Sequence, residues 1–311
     1  MVADSCLGSS NGKRLKGKCT HYSSIFQMTP RPRLLSSPFH PSYNTFGLFS
    51  RSGRRIDSSL TAVGAMHANS CRLCGSPSVT LFHTDKMREY YRCHQCSLVF
   101  VPDRFMLSSA EEKAVYDLHE NIPGDAAYEK FLSRAAHPLA DYLSVTVKRT
   151  PHQPQGLDFG CGPAPVLAKM LSAAPYSYSM DIFDLYYFSE ASYCLEREDH
   201  YDFITATEVV EHLRDPLSVF RTLWRCIRPD GGVLVIMTKR VHGTIERFRN
   251  WHYTRDPTHI TFFHTASFQW LADSLPSNGE TCETRFVSAD VALLIKKKQI
   301  PESFNMLQSG P

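Results

Sequence analysis

The chain has 311 residues, 42% of them hydrophobic, and a formal charge of +3. That length admits one full α/β domain plus a small accessory module. No run of about 18 apolar residues occurs, which excludes a membrane-spanning helix.

Charge is unevenly placed. Residues 1 to 65 hold nine Lys or Arg against Asp4 and Asp57, a local +7 that leaves −4 for the rest. This leader, residues 1–69, is rich in Ser, Arg, Pro and Gly and has no helical or strand period, so it reads as unstructured. Its composition resembles an organelle transit peptide cleaved before Ser70, the other readings being a disordered tail or a mispredicted start codon. Plastid and mitochondrion both fit, with Ser50 to Leu60 favouring the plastid; without a transit peptide the location would be cytoplasmic.

Next come Cys71-Arg72-Leu73-Cys74 and, after eighteen intervening residues, Cys93-His94-Gln95-Cys96. Two such knuckles can set four thiolates around one structural zinc, a redox dithiol or disulfide pair being the alternative. The flanking segments Ser78 to His83, Glu89 to Arg92 and Ser97 to Val101 are β-prone, so residues 70–104 are expected to form a zinc ribbon, with the metal supplying much of its folding free energy. Cys6, Cys19, Cys161, Cys194, Cys226 and Cys282 carry no comparable pattern. Residues 105–150 are expected to be helical and to cover a cofactor. One helix is capped by Ser108 with Glu111 and Glu112 in its first turn; another spans Asp125 to Ser144, with Pro138 as a potential kink. Tyr116, His119 and Tyr128 are candidates to face the pocket.

The most informative stretch is Leu157-Asp158-Phe159-Gly160-Cys161-Gly162. A short apolar strand ending in an acid and a tight glycine turn opens a nucleotide-type pocket. The third glycine of a dinucleotide fingerprint is replaced by Pro165, which disfavours NAD. A strand ending in Asp181 follows, then a strand at Tyr201 to Ala206 leading into Thr207-Glu208-Val209-Val210-Glu211-His212. The turn Arg228 to Gly232 enters the apolar strand Val233 to Met237, and alternating segments at Thr284 to Ser288 and Val291 to Ile295 fit a terminal antiparallel hairpin.

In this order and spacing the segment from Pro154 to Lys297 resembles the class I S-adenosylmethionine-dependent methyltransferases. The resemblance implies a doubly wound, mostly parallel Rossmann-like sheet over 151–298 with an antiparallel C-terminal hairpin, followed by a disordered tail at 299–311. It also implies S-adenosylmethionine held by Asp158, Phe159, Gly160, Cys161, Gly162, Asp181, Ile182, Phe183, Thr207 and Glu208. Asp158 would face the methionyl ammonium, backbone N–H groups around Gly160 to Ala164 and the next helix start the carboxylate, and Asp181 the ribose. Only about twenty residues separate Asp181 from Asp202, too few for the usual helix-strand-helix, so one connecting helix is expected to be missing. The adenine contact is left open among Phe183, Leu185, Glu196, Glu198 and Asp199.

On a helix, Glu208, Glu211 and His212 would share a face, and with His259 could hold a divalent ion. The same Glu-x-x-Glu-His pattern occurs in ubiquinone-pathway and small-RNA methyltransferases, where the resemblance implies a magnesium-type site; a packing role is the alternative. His212, His259 and Glu211 are the catalytic candidates. Acceptor recognition falls to Trp251, His252, Tyr253 and His259 within an aromatic and basic stretch that also holds Arg247, Arg255, Phe262, Phe263 and His264. The expected reaction is methyl transfer to a small molecule. A ribbon before such a domain also resembles enzymes acting on nucleotide-carried sugars, while RNA or protein targets are disfavoured by the acidic body. A non-enzymatic cofactor-binding protein is the last alternative.

Overall fold

A computed structural model of the chain describes residues 70–118, 122–146, 153–277 and 279–299. The leader, His119 and the tail from residue 300 lie outside the described residues.

Strands β1 (Val79–Thr84) and β2 (Glu89–Cys93) form a hairpin, and β3 (Val99–Phe100) adds antiparallel to β2. The two cysteine knuckles lie at the open end of this hairpin, before β1 and after β2. Helix α1 (Ser109–Tyr116) begins with a capping box between Ser108 and Glu111, as the sequence signature requires. Helix α2 (Ala126–Thr146) runs through Pro138 and buries Leu132, Ala135, Ala136, Leu139 and Leu143, the 3.6-residue stripe of a core-facing helix.

The larger sheet contains β4 (Gln155–Phe159), β5 (Ser179–Phe183), β6 (Phe203–Thr207), β7 (Val233–Met237), β9 (Glu280–Phe286) and β10 (Val291–Lys298). Its order is β5-β4-β6-β7-β10-β9, parallel through β7 and antiparallel beyond. This is the doubly wound α/β sheet with its terminal hairpin. Alternation along β7 assigns the layers. Val233, Val235 and Met237 pack with α2 and α3 (Val166–Ser172), while Leu234 and Ile236 join a second core with α4 (Pro216–Cys226) and α6 (Thr265–Ser274).

The short Asp181–Asp202 interval has the consequence its length demands. Between β5 and β6 the chain makes only a 3-10 stretch, Ser189–Glu196, so β5 is the sheet edge. Glu198 is paired with Arg225, and Asp199 with buried Lys296, both away from the glycine corner. Phe183 is buried and stacked on Phe159, with ring centroids 5.5 Å apart. Leu185, by contrast, is exposed at the end of β5.

The expected boundary after residue 104 is crossed by hydrogen bonds. Strand β8 (Thr261–Phe262) pairs antiparallel with β3, completing a second sheet of order β1-β2-β3-β8. Cys71, Leu73, Cys93, Cys96 and Leu98 belong to the same core cluster as Leu234 and Phe268. A ribbon too small to bury a core of its own therefore shares that of the larger sheet.

Candidate active site

The carboxyl ends of β4, β5 and β6 converge on the glycine corner. Gly160 and Gly162 have φ of 73° and 68°, the left-handed region where a side chain is strained. Both Gly160 and Cys161 donate their N–H groups to the Phe183 carbonyl, at 2.8 and 3.3 Å. Asp184 braces the turn: Oδ2 accepts from Gly162 N at 2.9 Å, and Oδ1 accepts from Tyr186 N at 2.8 Å. Sequence reasoning passed over Asp184, although its position just past a strand-ending acid was visible. Not every residue of the corner has an N–H group to offer a ligand. Pro163 and Pro165 have none, and Gly160 to Gly162 use theirs within the corner, leaving Ala164.

Asp158 is only 2% exposed, and its Oδ1 accepts from Thr205 Oγ1 at 2.7 Å. Burial pushes its carboxyl up to about 6, because a carboxylate here lacks a counter-charge. Asp181 accepts both Arg197 Nη1 (2.6 Å) and Tyr201 OH (2.9 Å) on one oxygen, Oδ2, so Oδ1 is not engaged by either. Ile182 pairs with Asp158 across the sheet. Cys161 has its thiol pushed well up by burial and then by Asp158, the opposite of an activated nucleophile.

Beyond β6 the expected helix does not form. Thr207 ends the strand, Glu208 takes φ of 53°, and Val210–His212 make a single 3-10 turn. Contacts from the segment entering β8 accompany this: Ile260 N donates to Glu211 O at 2.9 Å, and Thr261 Oγ1 to Val210 O at 2.9 Å, so the Glu211 carbonyl serves that segment and the Val210 carbonyl is shared between it and Leu213 N of the turn. Glu211, His212 and His259 nevertheless present one ligand atom each, all within 4.8 Å of one another. Glu208 is not a member of that set.

Each imidazole is held by a main-chain carbonyl. His212 Nδ1 lies 3.1 Å from Thr258 O, and His259 Nδ1 lies 2.7 Å from Tyr253 O. A carbonyl only accepts, so Nδ1 carries the proton and Nε2 keeps its lone pair. Burial keeps both rings neutral, lowering His212 to about 3 and His259 to about 4. Glu211 is fully buried, with Oε1 in a short contact with the Tyr253 hydroxyl and Oε2 without a hydrogen-bond partner. Burial, then the neighbouring Glu208, raises its carboxyl well above the usual range. Glu208 itself is raised to about 7 by burial, and its Oε2 is 3.5 Å from the same hydroxyl.

The acceptor-side residues divide. Tyr253 is central, and His259 faces Asp256 with Nε2 3.7 Å from Oδ2. Lys239 Nζ donates to His252 Nε2 at 2.7 Å on the exposed side. Trp251 stacks on Tyr253 at 5.0 Å and packs with Phe248 and Phe262. Phe262 and Phe263 are fully buried core, and His264 caps α6 by accepting from Ala266 N, so these three do not face an acceptor. From the helical region, Tyr116 meets His212 edge-on at 5.4 Å, while burial, and then the nearby charges of Asp158 and Glu208, push the Tyr128 phenol up to about 12.

In the ribbon, Cys71 and Cys96 bring their sulfurs to 3.5 Å, and Cys74 and Cys93 to 3.4 Å; all four thiols lie within 4.8 Å. None is in a disulfide. Sulfur pairs around a zinc with bonds of about 2.3 Å would lie at roughly such separations. The Cys71–Cys96 hydrogen bond pulls Cys71 down to about 6 and pushes Cys96 well up, while burial raises Cys74 to about 12. Without a metal, Cys71 alone of these three is drawn toward a thiolate, and a cation would have to displace the other protons.

A family model described as "Methyltransferase domain" matches residues 128–275. No curated protein matches the chain. Among solved structures, the chain is similar to a 1,6-didemethyltoxoflavin-N1-methyltransferase of Burkholderia thailandensis, solved with 1,6-didemethyltoxoflavin and S-adenosylhomocysteine. Identity is 12% and the TM-score 0.36, covering 71% of this chain and 99% of that one. An O-methyltransferase family protein from Burkholderia thailandensis gives 16% and 0.39, over 64% and 62% of the respective chains. A SAM-dependent methyltransferase from Archaeoglobus fulgidus gives 15% and 0.36, over 55% and 99%. From the sheet order, the glycine corner and the family match, residues 128–275 carry a methyltransferase domain, and the chain is a methyl-transferring enzyme.

Proposed function

We propose that the protein transfers the methyl group of S-adenosylmethionine to a small-molecule acceptor, in a site lying between the glycine corner and the Glu208–His212 turn. The observation that carries this reading is the convergence of a left-handed glycine corner at the ends of parallel strands with a group of carboxylates, neutral imidazoles and one buried tyrosine. The methionyl ammonium would give buried Asp158 its missing counter-charge, the Ala164 N–H would meet the carboxylate, and Asp181 Oδ1 would accept a ribose hydroxyl. Transfer to a sulfonium's backside is mostly a matter of alignment. For a hydroxyl or amine acceptor, the neutral Nε2 of His259 is a proton acceptor already fixed in its tautomer.

Glu211, His212 and His259 also fit a divalent ion, since Glu211 Oε2 lacks a partner and both imidazoles expose Nε2. Two nitrogens and one carboxylate suit a borderline ion such as zinc or iron(II) better than the magnesium-type ion expected from the sequence, which prefers oxygen. Bound there, such an ion would acidify an acceptor hydroxyl. The four ribbon cysteines are assigned a separate structural zinc. The pairing of β3 with β8, immediately after His259, favours as second reading an acceptor pocket bordered by the ribbon, as in enzymes acting on nucleotide-carried sugars.

The test uses zinc-loaded protein beginning near Ser70. Isothermal titration should show one S-adenosylhomocysteine per chain. Radiolabelled methyl donor should label small-molecule fractions of an extract and leave RNA and protein fractions unlabelled. Label confined to RNA or protein would reject the acceptor class.

A further inference from the structure

The tip of the β1–β2 hairpin carries Arg88, a charged side chain in a turn that would ordinarily point into water. Instead it is 6% exposed and reaches the acceptor loop. Nη2 donates to Thr254 O and Asp256 O, each at 2.8 Å, and Nη1 to Pro257 O at 3.1 Å. Nε donates to Tyr90 OH at 2.9 Å, and that hydroxyl donates to Asp85 Oδ2 at 2.7 Å. The guanidinium plane is thus fixed from the hairpin side by Asp85 and Tyr90, and all its loop-side contacts are to the backbone between Tyr253 and His259. Those two residues are joined to one another by the His259 Nδ1 contact with Tyr253 O.

A second tie runs through the backbone. The second knuckle leads into β3, β3 pairs with β8, and Val101 N donates to Ile260 O at 2.9 Å. On its other side the same short segment is bonded to the carbonyls of Val210 and Glu211. Residues 260–262 therefore form a strap with the ribbon on one side and the Glu211–His212 turn on the other. Ser267 Oγ donating to Cys96 O at 2.8 Å ties the knuckle to the helix that follows the strap.

We infer that the four-cysteine ribbon is a positioning device for the acceptor side of the site, acting through Arg88 and the β3–β8 strap to set His259 and His212. Arg88 is a positioning residue: it touches three carbonyls of the loop, and a guanidinium can serve three acceptors at fixed angles where an ammonium cannot hold the same plane. The inference rests on the reading of His259 as facing the acceptor, but its test does not require that acceptor.

The experiment compares wild type, Arg88→Met and Arg88→Lys as full-length, zinc-loaded chains. Hydrogen exchange is followed over residues 253–262 and, as reference, over Gly160–Pro165; nitrogen NMR reads the His259 tautomer; calorimetry reads S-adenosylhomocysteine affinity. In Arg88→Met, exchange over 253–262 should quicken by about tenfold or more, as expected when charge-assisted hydrogen bonds holding a loop are lost. His259 should lose its uniform Nδ1–H form, cofactor affinity should stay within about twofold, and Arg88→Lys should fall between. Should Arg88→Met fail to fold, Arg88→Lys and chelation of ribbon zinc in Glu211→Gln, which lacks the carboxylate of the second candidate metal group, carry the test, each expected to quicken the same segment. Unchanged exchange and tautomer in the folded variants overturn the inference. So does quickened exchange confined to the ribbon after chelation, or a parallel fall of cofactor affinity, which would make Arg88 a general fold stabiliser. Absence of any cofactor binding in wild type would count against the proposed reaction and leave the exchange and tautomer results to decide this one.

Discussion

Gly160→Ala gives the sharpest test of the corner's geometry. At φ of 73° an alanine carries a left-handed penalty of roughly 1–2 kcal/mol. Its Cβ would also lie 2.5 Å from Val209 Cγ2 and 2.9 Å from Cγ1, closer than carbon atoms approach. Overpacking of this kind costs roughly 1–3 kcal/mol, so the variant should lose about 2–5 kcal/mol in all. Gly279→Ala is the control, because it has φ of 79° with nothing within 4 Å of the added Cβ and should lose only the dihedral share. Urea denaturation of both variants isolates the clash as their difference, and Gly160→Ala combined with Val209→Ala should recover most of it. Because Val209 follows Glu208, S-adenosylhomocysteine affinity should fall about tenfold or more in the single variant. If Gly160→Ala and Gly279→Ala were equally destabilised within about 0.5 kcal/mol, the proposed contact between the corner and the Glu208 turn would be refuted.

Asp181→Ala should weaken S-adenosylhomocysteine binding by calorimetry, and unchanged affinity would remove its ribose role. Metal-free Glu211→Gln should melt higher than wild type at pH 8 and show little gain at pH 5. Burial raises the folded carboxyl above the unfolded value near 4.5, so the stability linked to its retained proton is complete below that pH and declines as pH rises through the folded value. The imidazoles work the other way: with folded values of about 3 and 4 against 6.5 unfolded, His212 and His259 lose stability as pH falls below about 6.5. Replacing both with Gln should flatten the acid limb of the melting curve. Elemental analysis should find one zinc retained by the four cysteines in Glu211→Gln, and chelation should lower the melting temperature; a stable, zinc-free ribbon would contradict the metal assignment.

Most of the catalytic sheet was legible because its signals are local. The run Val233 to Met237 is buried on both faces and reads as an unbroken apolar strand, and Ser108 with Glu111 spells a capping box that forms as written. The shortened link after Asp181 was visible from length alone. What escaped was non-local. Thr261 and Phe262 form a two-residue strand whose partner lies more than 150 residues earlier in sequence, and no period can announce such a pairing. Ile260 and Thr261 bond the carbonyls of Glu211 and Val210, and Val210–His212 turn once as a 3-10 segment although the Glu208 to His212 spacing suits an α-helix. Arg88 was passed over for a related reason: an arginine in a hairpin turn reads as solvated until the loop it holds is seen in place. Phe262, Phe263 and His264 looked like acceptor residues in a linear aromatic stretch, but burial and a helix cap account for them.

The most direct measurement is a crystal structure with S-adenosylhomocysteine soaked in. The amino-acid end is predicted to lie at the glycine corner beside Asp158 and Ala164, the ribose on Asp181, and the sulfur directed toward Glu208 and His259. Density elsewhere, or a ligand whose sulfur points away from that cluster, would contradict the account.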